Sequence, residues 1–190
     1  AAEMGFAKEY HVFDALYVPE CREFLDNKYA LCRQLFESGE ITCSYPDILK
    51  QVDFYRDTKN YFDYFDYLIC RNESVTLVGD ITPSYSTLPA AAFEHIKKAL
   101  EKRGFDIRVV FLMRDPFERV WSNIRMAKRD APLTNNGSVI IDPDESLLMN
   151  NYRVAGVQIR TRYEKTISNL ETVFDTGQIY YGFFELLFSE

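Results

Sequence analysis

The stretch RDPFERVWSN (114–123) places a cation, a helix start and a hydroxyl within ten residues of one another, directly after the apolar run Val109-Val110-Phe111-Leu112-Met113. If a helix begins at Asp115-Pro116, its first N–H groups and its positive dipole end face the space beyond the strand, which is where an anion binds. Arg114 would add a permanently charged, forked donor suited to phosphate. Ser122 lies two turns into the helix and meets such an anion only if the anion lies along the helix flank. The competing reading is an ordinary strand-to-helix turn with a salt bridge, and on these residues alone the two stand level. Arg119, four residues after Asp115, reads as the cation of a helix-surface ion pair.

Two other stretches carry chemistry-bearing residues. KEYHVFD (8–14) holds Glu9, His11 and Asp14 within six positions, and GDITPSYS (79–86) holds a carboxylate and several hydroxyls around a turn. Taken singly, Glu9 is a surface carboxylate and His11 a solvated or core-edge imidazole. The chain has only 2 histidines, so nothing pairs them into a metal or relay site.

The elements that position these groups follow from periodicity. Residues 20–38 put Phe24, Leu25, Ala30 or Leu31, Leu35 and Phe36 at broadly helical spacing, and Gly39 ends the pattern. In 46–69, Tyr61, Tyr64, Phe65 and Leu68 share one helical face, which predicts an aromatic stripe packed into the core rather than a ligand-stacking platform. A β-rich run at 75–81 leads into the turn Thr82-Pro83-Ser84. A helix follows, with Thr87 as cap, Pro89 in its first turn and Gly104 as its stop. Residues 107–113 predict a strand buried on both faces, and 116 to about 128 a helix. After a polar loop at Asn135-Asn136-Gly137, helical pattern runs from about 144 to 174, broken near Gly156, and 178–183 reads as a strand. Such alternation predicts a single α/β domain over 1–190, with ligand-binding groups at the carboxyl ends of parallel strands.

In that order along the chain, the motifs resemble those of sulfotransferases that use 3′-phosphoadenosine-5′-phosphosulfate (PAPS). The eight-residue step from Arg114 to Ser122 in RDPxxRxxS is similar to the family's 3′-phosphate motif. GDITPSYS resembles the strand-end motif G-E-x-S/T-P-x-Y of heparan-sulfate-type and bacterial members, and KEYHVFD resembles the segment that carries their catalytic base. IRTRYEKTISNLETVFDTGQIYYGFFELLF (159–188) looks like the family's R-x-x-Y helix and following strand. The resemblance implies a three-layer fold around a central, mostly parallel sheet, of the P-loop NTPase-like sulfotransferase kind. It makes Glu9 the general base, with His11 and Asp14 as supporting groups, and Arg114 and Ser122 the clamp on the nucleotide 3′-phosphate. Arg160 and Tyr163 match R-x-x-Y and would border the cofactor, or else pack the helix. The implied cofactor is PAPS, with adenosine 3′,5′-bisphosphate as product, and the implied acceptor is a small molecule or glycan bearing a hydroxyl or amine.

Two departures qualify that resemblance. Ile81 stands where the glucosaminyl 3-O-sulfotransferases carry Lys, which points to a bacterial-type acceptor. The family's Gly-rich phosphosulfate loop, K-x-G-T-T, belongs roughly 25 residues before Glu9, the length of a strand–loop–helix unit, and nothing in 1–8 resembles it. The expectation is therefore the middle of a sulfotransferase, incomplete at both ends, or a catalytically inactive nucleotide-binding module that keeps only the 3′-phosphate clamp. A kinase-like enzyme is disfavoured because no G-x-x-x-x-G-K-S/T occurs.

Composition sets the outer bounds. With 47% hydrophobic residues and only 7 Pro and 8 Gly, the 190-residue chain can bury a core and is not low-complexity. A net charge of −7 argues against nucleic acid as partner, so any anion site must be local. The 4 cysteines (Cys21, Cys32, Cys43, Cys70) share no CxxC spacing and have no neighbouring histidines, so no metal is expected and reduced thiols in a cytoplasmic compartment are. No apolar stretch reaches the ~20 residues of a membrane span. Oligomeric state leaves no trace in the sequence.

Overall fold

The computed structural model describes residues 1–39, 45–130 and 145–187. Its first helices are α1 (Val12–Tyr17), α2 (Glu23–Ser38), α3 (Tyr45–Arg56) and α4 (Thr58–Cys70). α2 ends as its sequence predicts, with Gly39 at φ 67°, the left-handed conformation that lets a helix stop without a Cβ clash. Asp57 caps α4 by accepting from the Lys59 N–H at 2.9 Å.

The aromatic stripe of α4 is core. Tyr61, Phe62, Phe65 and Leu68 are buried and meet Tyr10 and Phe13 from the N-terminal segment. Tyr61 packs edge-on against Phe13 at 5.1 Å and tilted against Phe65 at 4.9 Å, the separations at which aromatic quadrupoles attract.

The strands are parallel, and the chain is α/β in that sense, but among the described residues they form two pairs rather than one central sheet. β1 (Ala2–Glu3) pairs with β2 (Leu77–Val78). β3 (Val109–Met113) pairs with β4 (Ile179–Phe183), Val109 opposite Ile179 and Met113 opposite Phe183. The run expected over 75–81 is thus a strand only at Leu77–Val78. Beyond Gly79 its polar groups turn toward the N-terminal segment, with the Ile81 N–H donating to the Lys8 carbonyl at 3.0 Å. Nor is β3 buried on both faces. Phe111 is 8% exposed, whereas Val110 and Leu112 stand 62% and 40% exposed, with Tyr180 beside them at 56%.

α5 (Ala90–Glu101) leads from the first strand pair to the second, joining β2 to β3. Its start lies later than the sequence implies. Thr87 closes the preceding 3-10 turn, Pro83–Thr87, by donating to the Ser84 carbonyl at 2.7 Å, and extended Pro89 flanks the helix. α6 (Pro116–Asp130) follows β3. The expected helical stretch to 174 is three helices, α7 (Glu145–Tyr152), α8 (Ala155–Gln158) and α9 (Tyr163–Val173). α9 is tied to the segment before α5 by Asn169 Nδ2 donating to the Leu88 carbonyl at 3.0 Å and Thr166 Oγ1 to that of Ser86 at 2.6 Å. α10 (Phe184–Leu187) follows β4. Cys43 and the Asn135-Asn136-Gly137 loop lie outside the described residues, while Cys21, Cys32 and Cys70 are free thiols. Among the described residues no helix is long and apolar enough to cross a membrane.

Candidate functional site

The N-terminal segment and the turn after β2 are clamped together by backbone donors. The Tyr10 N–H donates to Thr82 Oγ1 at 2.9 Å, the Val12 N–H to the Tyr85 hydroxyl at 3.2 Å, and Gln51 Nε2 to the Tyr10 carbonyl at 2.9 Å. Between these anchors His11 adopts φ 53°, the only non-glycine with positive φ among the described residues. Such a conformation costs about 1 kcal/mol or more, and here it swings the imidazole back over α1.

The result is a line of ionisable groups. His11 Nε2 lies 3.2 Å from Glu9 Oε2, and His11 Nδ1 lies 2.8 Å from Asp14 Oδ2. Ser84 Oγ also donates to Asp14 Oδ2 and sits 3.2 Å from Nδ1. The Phe24 ring stacks on the imidazole at 3.8 Å and 15°. Asp14 is fully buried, the His11 side chain is 18% exposed and that of Glu9 is 37% exposed, so the line runs from core to surface. Because Ser84 gives its proton to Asp14, the Nδ1 contact requires an N–H directed at Asp14. Nε2 then faces the Glu9 carboxylate. The Glu9 and Asp14 expected to act with His11 are therefore each in hydrogen-bond reach of its imidazole, one on either ring nitrogen.

Ser84, His11 and Glu9 also have the residue types of a hydrolytic triad. At 2% exposure, with its proton committed to Asp14, Ser84 offers no substrate a nucleophile. Its role is to fix the buried end of the line.

A second group forms where β3 ends. Asp115 Oδ1 accepts from the N–H groups of Phe117 and Glu118 at 2.9 and 3.0 Å, and the Asp115 N–H donates to Glu185 Oε1 at 2.9 Å. The start of α6 thus offers an anion less than its sequence implies, and the guanidinium groups carry the site instead. Arg114 Nη2 meets Glu118 Oε2 at 3.3 Å, and its guanidinium lies over the Phe184 ring at 4.9 Å. Ser122 is half-buried further along α6. Arg125 meets the same Glu118 at 3.8 Å, while the side chains of Lys128 and Arg129 lie outside the described residues.

Arg119 departs from expectation. Asp115 is occupied in capping, and no Asp115–Arg119 ion pair occurs among the described residues; the guanidinium turns inward against the Tyr163 hydroxyl. Burial, and then the charges of Arg160 and Arg114, push it below its ordinary value, with Tyr163 acting in the opposite direction. Three arginines therefore share one neighbourhood, with Glu118 their one carboxylate partner among the described ion pairs.

Arg160, in the 3-10 turn Ile159–Thr161, connects the two groups. Its Nη2 lies 3.7 Å from the buried Cys21 Sγ, and its Nε is buried without a partner. Burial pushes the Cys21 thiol up and Arg160 draws it back, while Asp14 is close enough to Cys21 to act on it as well. Asp14 and Arg160 thus both act on Cys21, and Arg160 and Arg114 both act on Arg119, which places the two groups within electrostatic range of one another. Tyr163, the first residue of α9, donates to the Arg114 carbonyl at 2.8 Å.

Sequence reasoning missed Arg119, which it gave to the helix surface, and Ser84, which lies in the GDITPSYS turn and had no role there. The structure defines an α/β protein with parallel strand pairs. No protein family matches the chain, and no curated protein and no solved structure is similar to it.

Proposed function

We propose that the chain is a PAPS-dependent sulfotransferase domain acting on a hydroxyl or amine, with a carbohydrate as the acceptor class. The observation that carries this reading is the pairing of a half-exposed carboxylate with an imidazole, Glu9 with His11 and Asp14, in a molecule whose Arg114, Arg119 and Arg160 act on one another's charge. These residues come from three of the four segments that resemble the family. The donor set fits the 3′-phosphate of the cofactor. Three neighbouring guanidinium groups, one with a buried, unpartnered Nε, are the chemistry that a phosphate dianion satisfies.

In this reading Arg114 and Ser122 hold the nucleotide 3′-phosphate, with Arg160 behind them. The bound cofactor supplies an electrophilic sulfuryl group. Glu9, at the solvent end of the line, takes the proton from the acceptor O–H or N–H as the new bond to sulfur forms. The new bond to the acceptor would replace the bond from sulfur to the phosphate oxygen, whose electron pair would leave with adenosine 3′,5′-bisphosphate. His11 stabilises the Glu9 carboxylate before transfer, and buried Asp14 with Ser84 fixes the imidazole plane.

Calorimetric titration with adenosine 3′,5′-bisphosphate tests the clamp. Arg114→Ala should weaken binding by on the order of 2 kcal/mol, the value of a charge-assisted hydrogen bond to phosphate. Equal affinity of the wild type and the variant removes Arg114 from the site, and a wild type that does not bind the nucleotide refutes the proposal. Binding without any transfer to an acceptor panel identifies the inactive nucleotide-binding module instead.

A further inference from the structure

We infer that Tyr163, backed by Arg119, is a positioning residue that aims the Arg114 guanidinium and so sets the preference for a nucleotide carrying a 3′-phosphate. The inference rests on the function proposed above and assigns Tyr163 a role other than contact with the cofactor.

Arg114 follows the last residue of β3 and precedes the Asp115-Pro116 start of α6, so its backbone is the joint between strand and helix. Pro116 has no N–H, and the Asp115 N–H is taken by Glu185. At that joint the Arg114 carbonyl accepts from the Tyr163 hydroxyl at 2.8 Å, a partner 49 residues away on α9. The Tyr163 ring is itself held, standing edge-on to Phe111 at 5.7 Å and 75°. Phe111 is buried within β3, so the phenol is fixed against the strand whose end it tethers.

The Arg114 side chain is 25% exposed, and its guanidinium meets partners that are more exposed than itself. It meets Glu118, whose side chain is 54% exposed, and covers the face of Phe184, which is 38% exposed. Exposed ion pairs contribute little and hold a geometry weakly. The Glu118 pair is therefore a weak guide to direction, and the Tyr163 hydroxyl is the hydrogen bond that holds the Arg114 backbone in place. Arg119 strengthens this arrangement. Its cation acts electrostatically on the phenol, and a positive charge near the oxygen makes the O–H a better donor to the carbonyl. A forked donor gives specificity for a phosphate only when its plane is set in advance, and a misplacement of about 1 Å forfeits the bidentate geometry.

The chemistry separates aim from contact. Removing only the hydroxyl leaves every Arg114 atom in place while releasing its carbonyl, so affinity for the 3′-phosphate falls and affinity for the rest of the nucleotide does not. The experiment is calorimetric titration of the wild type, Tyr163→Phe, Arg114→Ala and the double variant with adenosine 3′,5′-bisphosphate and with adenosine 5′-phosphate. The expected result is a wild type that prefers the bisphosphate. Tyr163→Phe should lower that preference roughly fivefold, the effect of one neutral hydrogen bond, and leave adenosine 5′-phosphate binding unchanged. In the Arg114→Ala background the same change should have no effect on the preference, since there is nothing left to aim. A purely structural tyrosine would weaken both nucleotides together.

Full retention of the preference in Tyr163→Phe overturns the inference, as does an additive effect in the double variant. A wild type without preference for the bisphosphate overturns the proposed function itself, which keeps the two failures apart. If Tyr163→Phe does not fold, Arg119→Gln supplies the reading. Its preference should fall in the same direction, and an unchanged preference there is equally fatal.

Discussion

Asp80 offers the sharpest test of how the turn after β2 is built. Its carboxylate accepts from the Tyr61 hydroxyl at 3.0 Å and from Thr82 Oγ1 at 2.5 Å, beside the aromatic core. Burial pushes it up to about 6, although the hydrogen bonds from Thr82, Tyr61 and Tyr85 pull the other way; the charge of Asp14 adds to the rise. An unfolded Asp titrates near 3.9. The folded chain therefore holds this proton more tightly than the unfolded chain does. The stability contributed is complete below pH ~4 and is lost as pH rises through about 6. A difference of about two units corresponds to roughly 3 kcal/mol across that window. Asp80→Asn mimics the protonated acid and cannot ionise. It should match the wild type near pH 4 and exceed it near pH 7 by up to that amount. Urea unfolding of both chains from pH 4 to 7, plotted as the difference between them, cancels the groups they share. A difference that stays flat, or one that favours the wild type more as pH rises, would show that Asp80 is not a desolvated carboxylate and that the reasoning is wrong.

Other outcomes follow from the same geometry. Glu9→Gln should abolish sulfuryl transfer while leaving nucleotide affinity unchanged, and steady-state turnover near wild type would exclude Glu9 as the base. Gly5→Ala should be far more damaging than Gly39→Ala. Both glycines have positive φ, but a methyl at Gly5 would overlap the hydroxyls of Tyr10 and Tyr64, whereas Gly39 faces open space. Those hydroxyls serve the Met4 carbonyl at 2.6 Å and the Phe6 N–H at 3.0 Å, so displacing them also breaks hydrogen bonds. Gly39→Ala should cost about 1 kcal/mol and Gly5→Ala several times that, and equal melting temperatures for the two variants would contradict this.

The helices were legible in the sequence because their signals are local. The aromatic spacing of α4 and the glycine after α2 each act within a turn or two, and the structure places both where the pattern does. The strands were legible in direction but not in extent. Alternation cannot tell a strand buried on both faces from one like β3, whose Val110 and Leu112 are exposed while Phe111 is covered. Nor can it foresee that residues after Gly79 give their hydrogen-bonding groups to a segment some 70 positions away, with Tyr10 and Thr82 joined at 2.9 Å. The start of α5 fails for a related reason, since Thr87 has a nearer use in closing its own turn on the Ser84 carbonyl.

The site shows the same competition at closer range. RDPFER contains two acid–base pairs at i,i+4 spacing, Arg114 with Glu118 and Asp115 with Arg119, and a rule of spacing treats them alike. Only the first forms. Asp115 stands immediately before Pro116 at the helix start, where its carboxylate meets two N–H groups that have no partner within the helix. Capping there contributes about 1 kcal/mol, against a few tenths for an exposed i,i+4 pair, so capping wins and Arg119 loses its partner. A long cation beside the core, released from the surface, then finds the phenol of Tyr163 and the company of Arg160. That outcome is costly for folding, because like charges are brought together and stripped of water. It becomes intelligible if the neighbourhood is completed by an anion. The residue that the local rule made ordinary is thus the one that the contest over Asp115 displaces.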